Sequence, residues 1–175
     1  MSLVRAGFVP VPPGAKPGFD HADVYRAGRR LHVAHTGADR VDVLDCAERT
    51  FLRSLPDLPG VAGVLIDEDH DLLFTTDRAA ARVSIFRCSD ERLLGQVEVG
   101  PHPNGLAYDR RRRTVYAFNL GDPLGEGCTL SIVELASMQV VAEIPLPGRP
   151  RWAVYDEERD RVLANIREPA HIVVL

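Results

Sequence analysis

Residues 105–119 read GLAYDRRRRTVYAFN, an apolar run, a charged turn and a second apolar run. The same pattern occurs three more times in the 175-residue chain, as ADVYRAGRRLHVAH at 22–35, GVLIDEDHDLLFTTD at 63–77 and WAVYDEERDRVLANI at 152–166. The residues just before the turn are 41, 42 and 47 positions apart: Tyr25, Ile66, Tyr108 and Tyr155. A column in the second run has spacings of 42, 42 and 47: His32, Phe74, Tyr116 and Leu163. The chain is therefore built from four repeats of about 42 residues.

Each repeat continues with a third apolar run, RVDVLD, RVSIFR, TLSIVE or HIVVL, and the first three repeats add a fourth run that closes on glycine. The runs are short, rich in β-branched residues and bounded by Gly, Pro and Asp, which favours strands over helices. Four strands in a period of about 40–45 residues are typical of a β-propeller blade. We therefore predict a single all-β domain, a β-propeller of four-stranded antiparallel blades with four blade-equivalents. Their approximate bounds are 19–60, 61–102, 103–149 and 150–175.

The fourth repeat stops at Leu175, after its third strand. The stretch GFVPVPPG, residues 7–14, resembles the fourth runs and is the candidate for a strand that closes the last blade. Three arrangements of the whole stay open, since propellers contain about four to eight blades. The chain forms a four-bladed ring, two chains pair as a homodimer that completes an eight-bladed ring, or the chain is half of a longer propeller.

Composition and charge exclude several classes of protein. Hydrophobic residues make up 45% of the chain, an ordinary globular value, and the formal net charge of −4 argues against a nucleic-acid partner. No run approaches the roughly 20 apolar residues of a membrane span, and the N-terminus lacks the apolar core of a signal peptide. These features predict a cytoplasmic protein with no membrane partner. Cys46 and Cys88 occupy equivalent positions in adjacent repeats, and we predict no disulfide between them, because packed sheets lie about 10 Å apart.

The stretch LHVAHTGADRVDVLD at 31–45 resembles the YVTN-type propeller repeat, and TVYAFN and LLFTTD are looser copies. The resemblance extends over nearly the whole chain and implies the propeller fold. Members of that family are similar in fold while they serve as ligand binders, surface proteins, lactonases and lyases. The resemblance therefore implies no single activity.

Antiparallel alternation places the loops between second and third strands, and the connections between repeats, on one face of the propeller, which we call the upper face. Loops that converge on a rigid scaffold are common ligand sites. We predict a non-catalytic scaffold that binds a small molecule or a protein partner through this face, around the central channel. The candidate ligand-binding residues are His21, Asp23, His35, Asp77, His102, Asn104, Asn119, Arg151 and Asn165. Asp20, Arg78, Arg149 and Trp152 are expected on the same face.

A metal-dependent enzyme is the alternative. His21 and His35, with Asp20 or Asp23, have the chemistry of a site for zinc or another divalent ion. PNGLAYD at 103–109 also resembles a segment of the gluconolactonase and regucalcin propellers, in which the residue matched by Asn104 helps to hold a divalent cation. This resemblance implies a lactonase-like hydrolase or lyase, with a divalent metal ion held by His21, His35 and Asn104.

The chain departs from that second family, because no matching acidic residue opens the first blade and the positions corresponding to Asn104 are His21, Ala62 and Arg151. PNG is otherwise explained as a turn that enters a strand. One upper loop, NLGDPLGEGCT at 119–129, is longer than its counterparts and serves either as a lid or partner contact or as a tolerated insertion. The run Arg110–Arg113 falls in a hairpin on the opposite, lower face, where the matching turns differ in sign, so no continuous basic stripe is predicted.

Overall fold

The computed structural model describes Val4 and residues 6–175, and this part of the chain contains fifteen β-strands. They are β1 (Ala22–Tyr25), β2 (Arg30–His35), β3 (Arg40–Asp45), β4 (Thr50–Leu55), β5 (Val61–Asp67), β6 (Leu72–Asp77), β7 (Arg82–Arg87), β8 (Leu93–Glu98), β9 (Pro103–Asp109), β10 (Thr114–Asn119), β11 (Thr129–Glu134), β12 (Gln139–Pro145), β13 (Pro150–Asp156), β14 (Arg161–Ile166) and β15 (His171–Val174). The described helices are two three-residue 3-10 turns, Thr36–Ala38 and Arg78–Ala80. Neither has the length or the apolar character that crossing a membrane requires.

The strands form four antiparallel sheets in chain order, three of four strands (β1–β4, β5–β8 and β9–β12) and one of three (β13–β15). The all-β prediction of four repeated antiparallel units is confirmed. The first strands of successive sheets contact one another, β1 with β5, β5 with β9 and β9 with β13. These four strands therefore line a common channel, and each outer strand lies on the periphery.

Three apolar clusters fill the spaces between neighbouring sheets, and they explain why the middle strands are apolar at nearly every position. All six residues of β6 are buried, because sheets pack against both of its faces. Phe74 and Phe118 are fully buried in the second and third clusters. Each such side chain contributes on the order of 1.5–3 kcal/mol by leaving water.

The pairing of β1 corrects one column of the repeat. Val24 pairs with Leu31 as Ile66 pairs with Leu73 and Tyr108 with Val115, so Val24 and not Tyr25 is their equivalent. The spacing is therefore 42 throughout the first three repeats. A shift of one residue moves a side chain to the other face of a strand. Val24 consequently lies on the face of the first sheet that is turned away from the second sheet.

Residues 7–14 do not close the last blade. They contain no strand, the fourth sheet has only β13–β15, and the segment 6–18, which we call the N-terminal strap, lies along the first sheet instead. The guanidinium of Arg40 donates to the Pro12 carbonyl, Arg49 donates to the Ala6 carbonyl at 3.2 Å, and the Lys16 N–H donates to the Gly37 carbonyl at 3.1 Å. Prolines 10, 12 and 13 have no N–H to donate, so this part of the segment offers few donors to a strand ladder, and arginine side chains hold it through its carbonyls.

Each first hairpin of a repeat ends on a non-glycine residue with positive φ. The four are Arg29, Asp71, Arg113 and Asp160, with φ of 53°, 57°, 53° and 53°. Their spacings of 42, 42 and 47 are those of the repeat itself. The left-handed conformation costs a residue with a Cβ about 1–2 kcal/mol, part of which glycine recovers.

We expect Arg113→Gly to raise the free energy of unfolding by about 0.5–1 kcal/mol, because the turn conformation no longer strains a Cβ. Urea denaturation followed by circular dichroism measures the change. Arg111→Gly is the matched control in the same exposed run, at a residue without positive φ, and should give no gain. Equal stabilisation by both changes would show that loss of arginine charge, and not backbone conformation, is the cause.

Candidate functional site at the channel mouth

The inner strands open at their upper ends through register shifts, between Val61 and Val64 in β5 and between Pro150 and Ala153 in β13. A similar shift affects the pairing of β9 with β10. Glycines permit neighbouring strands to approach there, since a Cβ on Gly63 would lie 2.5 Å from the Asn104 carbonyl oxygen and one on Gly105 would lie 2.8 Å from that of Arg151. Close approach brings side chains from all four repeats to the channel mouth.

A chain of polar contacts joins all four repeats at this mouth. Arg78 donates through Nη2 to Asp20 Oδ2 at 2.7 Å and also to Asn104 Oδ1. Asn104 in turn donates through Nδ2 to the Arg151 carbonyl at 2.7 Å. Residues of the first, second, third and fourth repeats are thereby linked in one cluster.

His21 and Trp152 meet across the mouth. Their ring centroids are 4.4 Å apart at an interplanar angle of 66°, and His21 Nε2 lies 3.5 Å from Asp20. Burial and the nearby guanidinium of Arg78 lower the pKa of His21, although Asp20 opposes the shift. The imidazole is therefore neutral at neutral pH. Trp152 keeps 42% of its surface exposed, and its backbone N–H donates to Asn165 Oδ1 at 2.6 Å.

The charge of the mouth is positive. Burial lowers the pKa of Arg151, and the neighbouring guanidinium groups of Arg167, Arg78 and Arg149 lower it further, opposed by the carboxylate of Asp20. The Nε atoms of Arg78 and Arg149 are buried and have no hydrogen-bond partner within the described chain. Arginines thus outnumber carboxylates around Arg151.

The long loop 119–129 lies beside this arginine cluster. A Cβ on Gly125 would lie 3.1 Å from the side chain of Arg149, and Arg149 Nη1 lies 3.5 Å from the Pro123 carbonyl. The loop is tied to itself, because Cys128 Sγ donates to the carbonyls of Leu120 and Gly125 at 3.2 and 3.1 Å. It forms one wall of the mouth.

Three predicted site residues are turned into the sheets and not toward the mouth. His35 is 4% exposed with Nδ1 2.7 Å from Asp42, Asp77 is fully buried and accepts from Ser84 at 2.7 Å, and Asn119 is fully buried and donates to Ser131 at 2.8 Å. Each ends a second strand and bonds to the third residue of the strand beside it. Asp42, Ser84 and Ser131 have the repeat spacings of 42 and 47, and this second polar column is the sequence signal that could have identified the internal pairs.

The remaining candidates lie near the mouth in varied settings. His21, Asn104 and Arg151 belong to the cluster described above. Asp23 Oδ2 accepts from the Ile66 N–H at 2.8 Å and so joins β1 to β5. His102 is exposed, with Nδ1 2.9 Å from the Gly121 carbonyl. Arg78, Arg149 and Trp152 were expected on this face without a role. Arg167 was missed, although it follows the second strand of its repeat as Arg78 does and the repeat spacings relate the two positions.

The proposed metal trio is not assembled. The ring nitrogen Nδ1 of His35 bonds to Asp42, and Asn104 Oδ1 accepts from Arg78, so both atoms already have partners within the protein. Over the described part of the chain, no group of three or more His, Cys, Asp or Glu side chains is arranged to hold a metal ion.

A cavity of about 520 Å³ runs beneath the mouth along β5, β9 and β13. Its apolar wall includes Leu65, Leu106, Tyr108 and Val154, and Trp152 lines its upper end. Burial raises the pKa of Tyr108 to about 12, with a further contribution from Asp67. Sequence reasoning did not find this cavity, because its wall consists of ordinary strand residues.

The arginine run is neutralised on the lower face by acidic groups of neighbouring hairpins. Arg110 Nε lies 2.8 Å from Asp67 of the second sheet, and its Nη1 lies 3.6 Å from Glu157 of the fourth. Arg112 donates to both carboxylate oxygens of Asp160, at 2.5 and 2.6 Å. These arginines therefore connect adjacent blades.

The fold resembles that of a solved protein, hydrazine synthase of Kuenenia stuttgartiensis, with a TM-score of 0.79 at 14% sequence identity. That protein contains a β-propeller. The chain has a β-propeller fold. The match covers 99% of this propeller chain and 49% of the other chain, so this chain spans about half the length of its neighbour. At this identity the likeness concerns the fold alone.

No family model matches the propeller, and no curated protein matches it. The relation to the YVTN-type repeat is therefore a resemblance of short motifs. The β-propeller-like fold suggests a scaffold.

Proposed function

We propose that the protein is a non-catalytic propeller scaffold that binds a small organic anion at the channel mouth. The proximity of four guanidinium groups, those of Arg78, Arg149, Arg151 and Arg167, with Asp20 as the nearby carboxylate, carries this proposal. Arginine presents paired donors that match a carboxylate or a phosphate, and such charge-assisted hydrogen bonds are roughly twice as strong as neutral ones.

The surroundings support a ligand with an apolar portion. The exposed indole of Trp152 lies between the arginine cluster and the apolar cavity below it. An anionic head at Arg78 and Arg151 would place the rest of a small molecule against this indole and along the cavity wall. Neutral His21 adds a second aromatic surface beside it without adding charge.

Trp152 is the only tryptophan of the chain, so its fluorescence reports on the site directly. We expect a saturable change in fluorescence when the protein is titrated with inorganic phosphate, succinate or benzoate. Arg151→Gln should weaken the best of these by about tenfold or more, because a hydrogen bond to a charged group contributes about 1.5–3 kcal/mol.

Arg111→Gln is the matched control, since it removes an exposed arginine of the lower face, and it should leave the titration unchanged. The proposal fails if none of the three anions gives a saturable change, or if Arg151→Gln and Arg111→Gln bind equally well. A thermal melt of each variant confirms that the fold is retained.

A further inference from the structure

The two ends of the arc of sheets carry unpaired apolar faces. On the fourth sheet the face consists of Val154, Leu163, Ile172 and Val174, which we call the back face. On the first sheet it consists of Val24, Leu31, Val33 and Leu44, which we call the front face; Val24 is exposed and the other three are partly buried. Ile172, Val174 and Val154 are 59%, 54% and 50% exposed, and Val24 is 38% exposed.

The repeat shows what these faces do elsewhere in the molecule. The equivalents of Ile172 in the other three sheets are Val41, Val83 and Leu130, which are 0%, 0% and 1% exposed. The equivalents of Leu31 are Leu73, Val115 and Val162, which are 0%, 0% and 4% exposed. Each interior cluster forms where the back face of one sheet packs on the front face of the next. The molecule therefore has one back face and one front face left without a neighbouring sheet, and these are the two kinds of face that pack together inside it.

The hairpins beside the two faces carry opposite charges. The hairpin of the first sheet contributes Arg26, Arg29 and Arg30, and that of the fourth contributes Asp156, Glu157 and Glu158. Hairpins of neighbouring sheets exchange ion pairs inside the molecule, as Arg112 does with Asp160. Glu158 is 88% exposed, and neither Arg26 nor Arg29 forms a side-chain ion pair among the described residues, so these groups are available for the same kind of contact.

We propose that the back face of the fourth sheet docks on the front face of the first sheet in a second copy of this chain. A head-to-tail contact generates a closed ring when its rotation closes, and two copies give two equal contacts. The resulting ring has eight blades. It buries both apolar faces of each chain and brings the acidic hairpin of one copy beside the basic hairpin of the other.

The test is the mass of the full chain in solution, measured by light scattering and sedimentation at several concentrations. We expect about twice the chain mass of 19.3 kDa. Ile172→Asp and, separately, Val24→Asp should each give the mass of one chain. Val141→Asp is the matched control, because Val141 is also 57% exposed but lies on the outer strand β12, and this variant should keep the double mass.

Mixing the Ile172→Asp and Val24→Asp chains tests the direction of the contact. The mixture retains one unaltered back face and one unaltered front face, so a head-to-tail pair should recover part of the double mass. A contact between two like faces would give no such recovery and would overturn the proposal. A single-chain mass for the unmodified protein at every concentration would also overturn it, and circular dichroism confirms that each variant is folded.

Discussion

Gly63→Ala is expected to lower the free energy of unfolding by about 2–4 kcal/mol, because the new methyl group has no room. Its Cβ would lie 2.5 Å from the Asn104 carbonyl oxygen and 2.7 Å from Thr76 Oγ1. Both atoms belong to a hydrogen-bonded clamp, in which the Gly63 N–H donates to Thr76 Oγ1 at 2.7 Å and that hydroxyl donates to the Asn104 carbonyl at 2.8 Å. Relief of the overlap requires β5 and β9 to separate.

Urea denaturation measures this loss, and Gly95→Ala is the matched control. A Cβ on Gly95 also meets an atom at 2.8 Å, but that atom is the terminal methyl carbon of the Met138 side chain, which can rotate away. We expect a loss below about 1 kcal/mol for the control. Similar losses of unfolding free energy for both variants would contradict the prediction, because they would mean that β5 and β9 can separate at as little cost as a side chain can rotate.

Glu91→Gln is expected to cost about 2–3 kcal/mol, because it removes the charge from a buried carboxylate between two sheets. The side chain of Glu91 is 3% exposed. Its carboxylate accepts hydrogen bonds from Arg53 at 2.6 Å and from Arg30 at 3.2 Å, and it lies 3.4 Å from His32 Nε2. The amide keeps the shape of the side chain but offers one acceptor in place of two. Arg53 is 45% exposed and regains water, so the loss falls below that of a fully buried pair.

The dependence on pH identifies the carboxylate as the cause. Burial alone would raise the pKa of Glu91, but the hydrogen bonds from His32 and Arg53 outweigh it and the pKa is lowered. A lowered pKa contributes stability above the unfolded value of about 4.3, and this contribution is lost as the pH falls through the folded value. The difference in stability between the protein and Glu91→Gln should therefore shrink in acid, whereas Glu143→Gln, on the exposed outer strand β12, should show no difference at any pH.

The sequence predicted the sheets because a repeat of 42 residues imposes the same pattern of burial on each unit. It misplaced Tyr25 by one residue, since the apolar character of Val24 and Tyr25 fits either column and only hydrogen-bond pairing decides between them. The N-terminal strap resembled an outer strand in composition. Its prolines fit a peripheral strand as well as a segment held by arginines, and the choice depends on contacts with Arg40 and Arg49 that lie far along the chain.

The candidate site was predicted in part, since alternation of strands places His21, Asn104 and Arg151 on one face. Alternation does not say whether a polar residue at a strand end points to the channel or to the adjacent strand. His35, Asp77 and Asn119 point to the adjacent strand, because each hydrogen-bonds to a polar side chain two positions beyond its cross-strand partner on the third strand. The excess of arginine depends on Arg149 and Arg167, which backbone pairing brings together from two loops, as the Arg167 N–H donates to the Arg149 carbonyl at 2.8 Å.

Because the N-terminal strap covers Gly37, the first repeat cannot be replaced by a copy of the second without a change in packing. Ala79 occupies the same turn of the second repeat, 42 positions later, and a Cβ on Gly37 would overlap the Lys16 carbonyl. A chain assembled by duplicating the second repeat would place alanine there and would have to displace the segment that covers the turn. One missing methyl group therefore distinguishes the first blade, which accepts the strap, from the second blade, which does not.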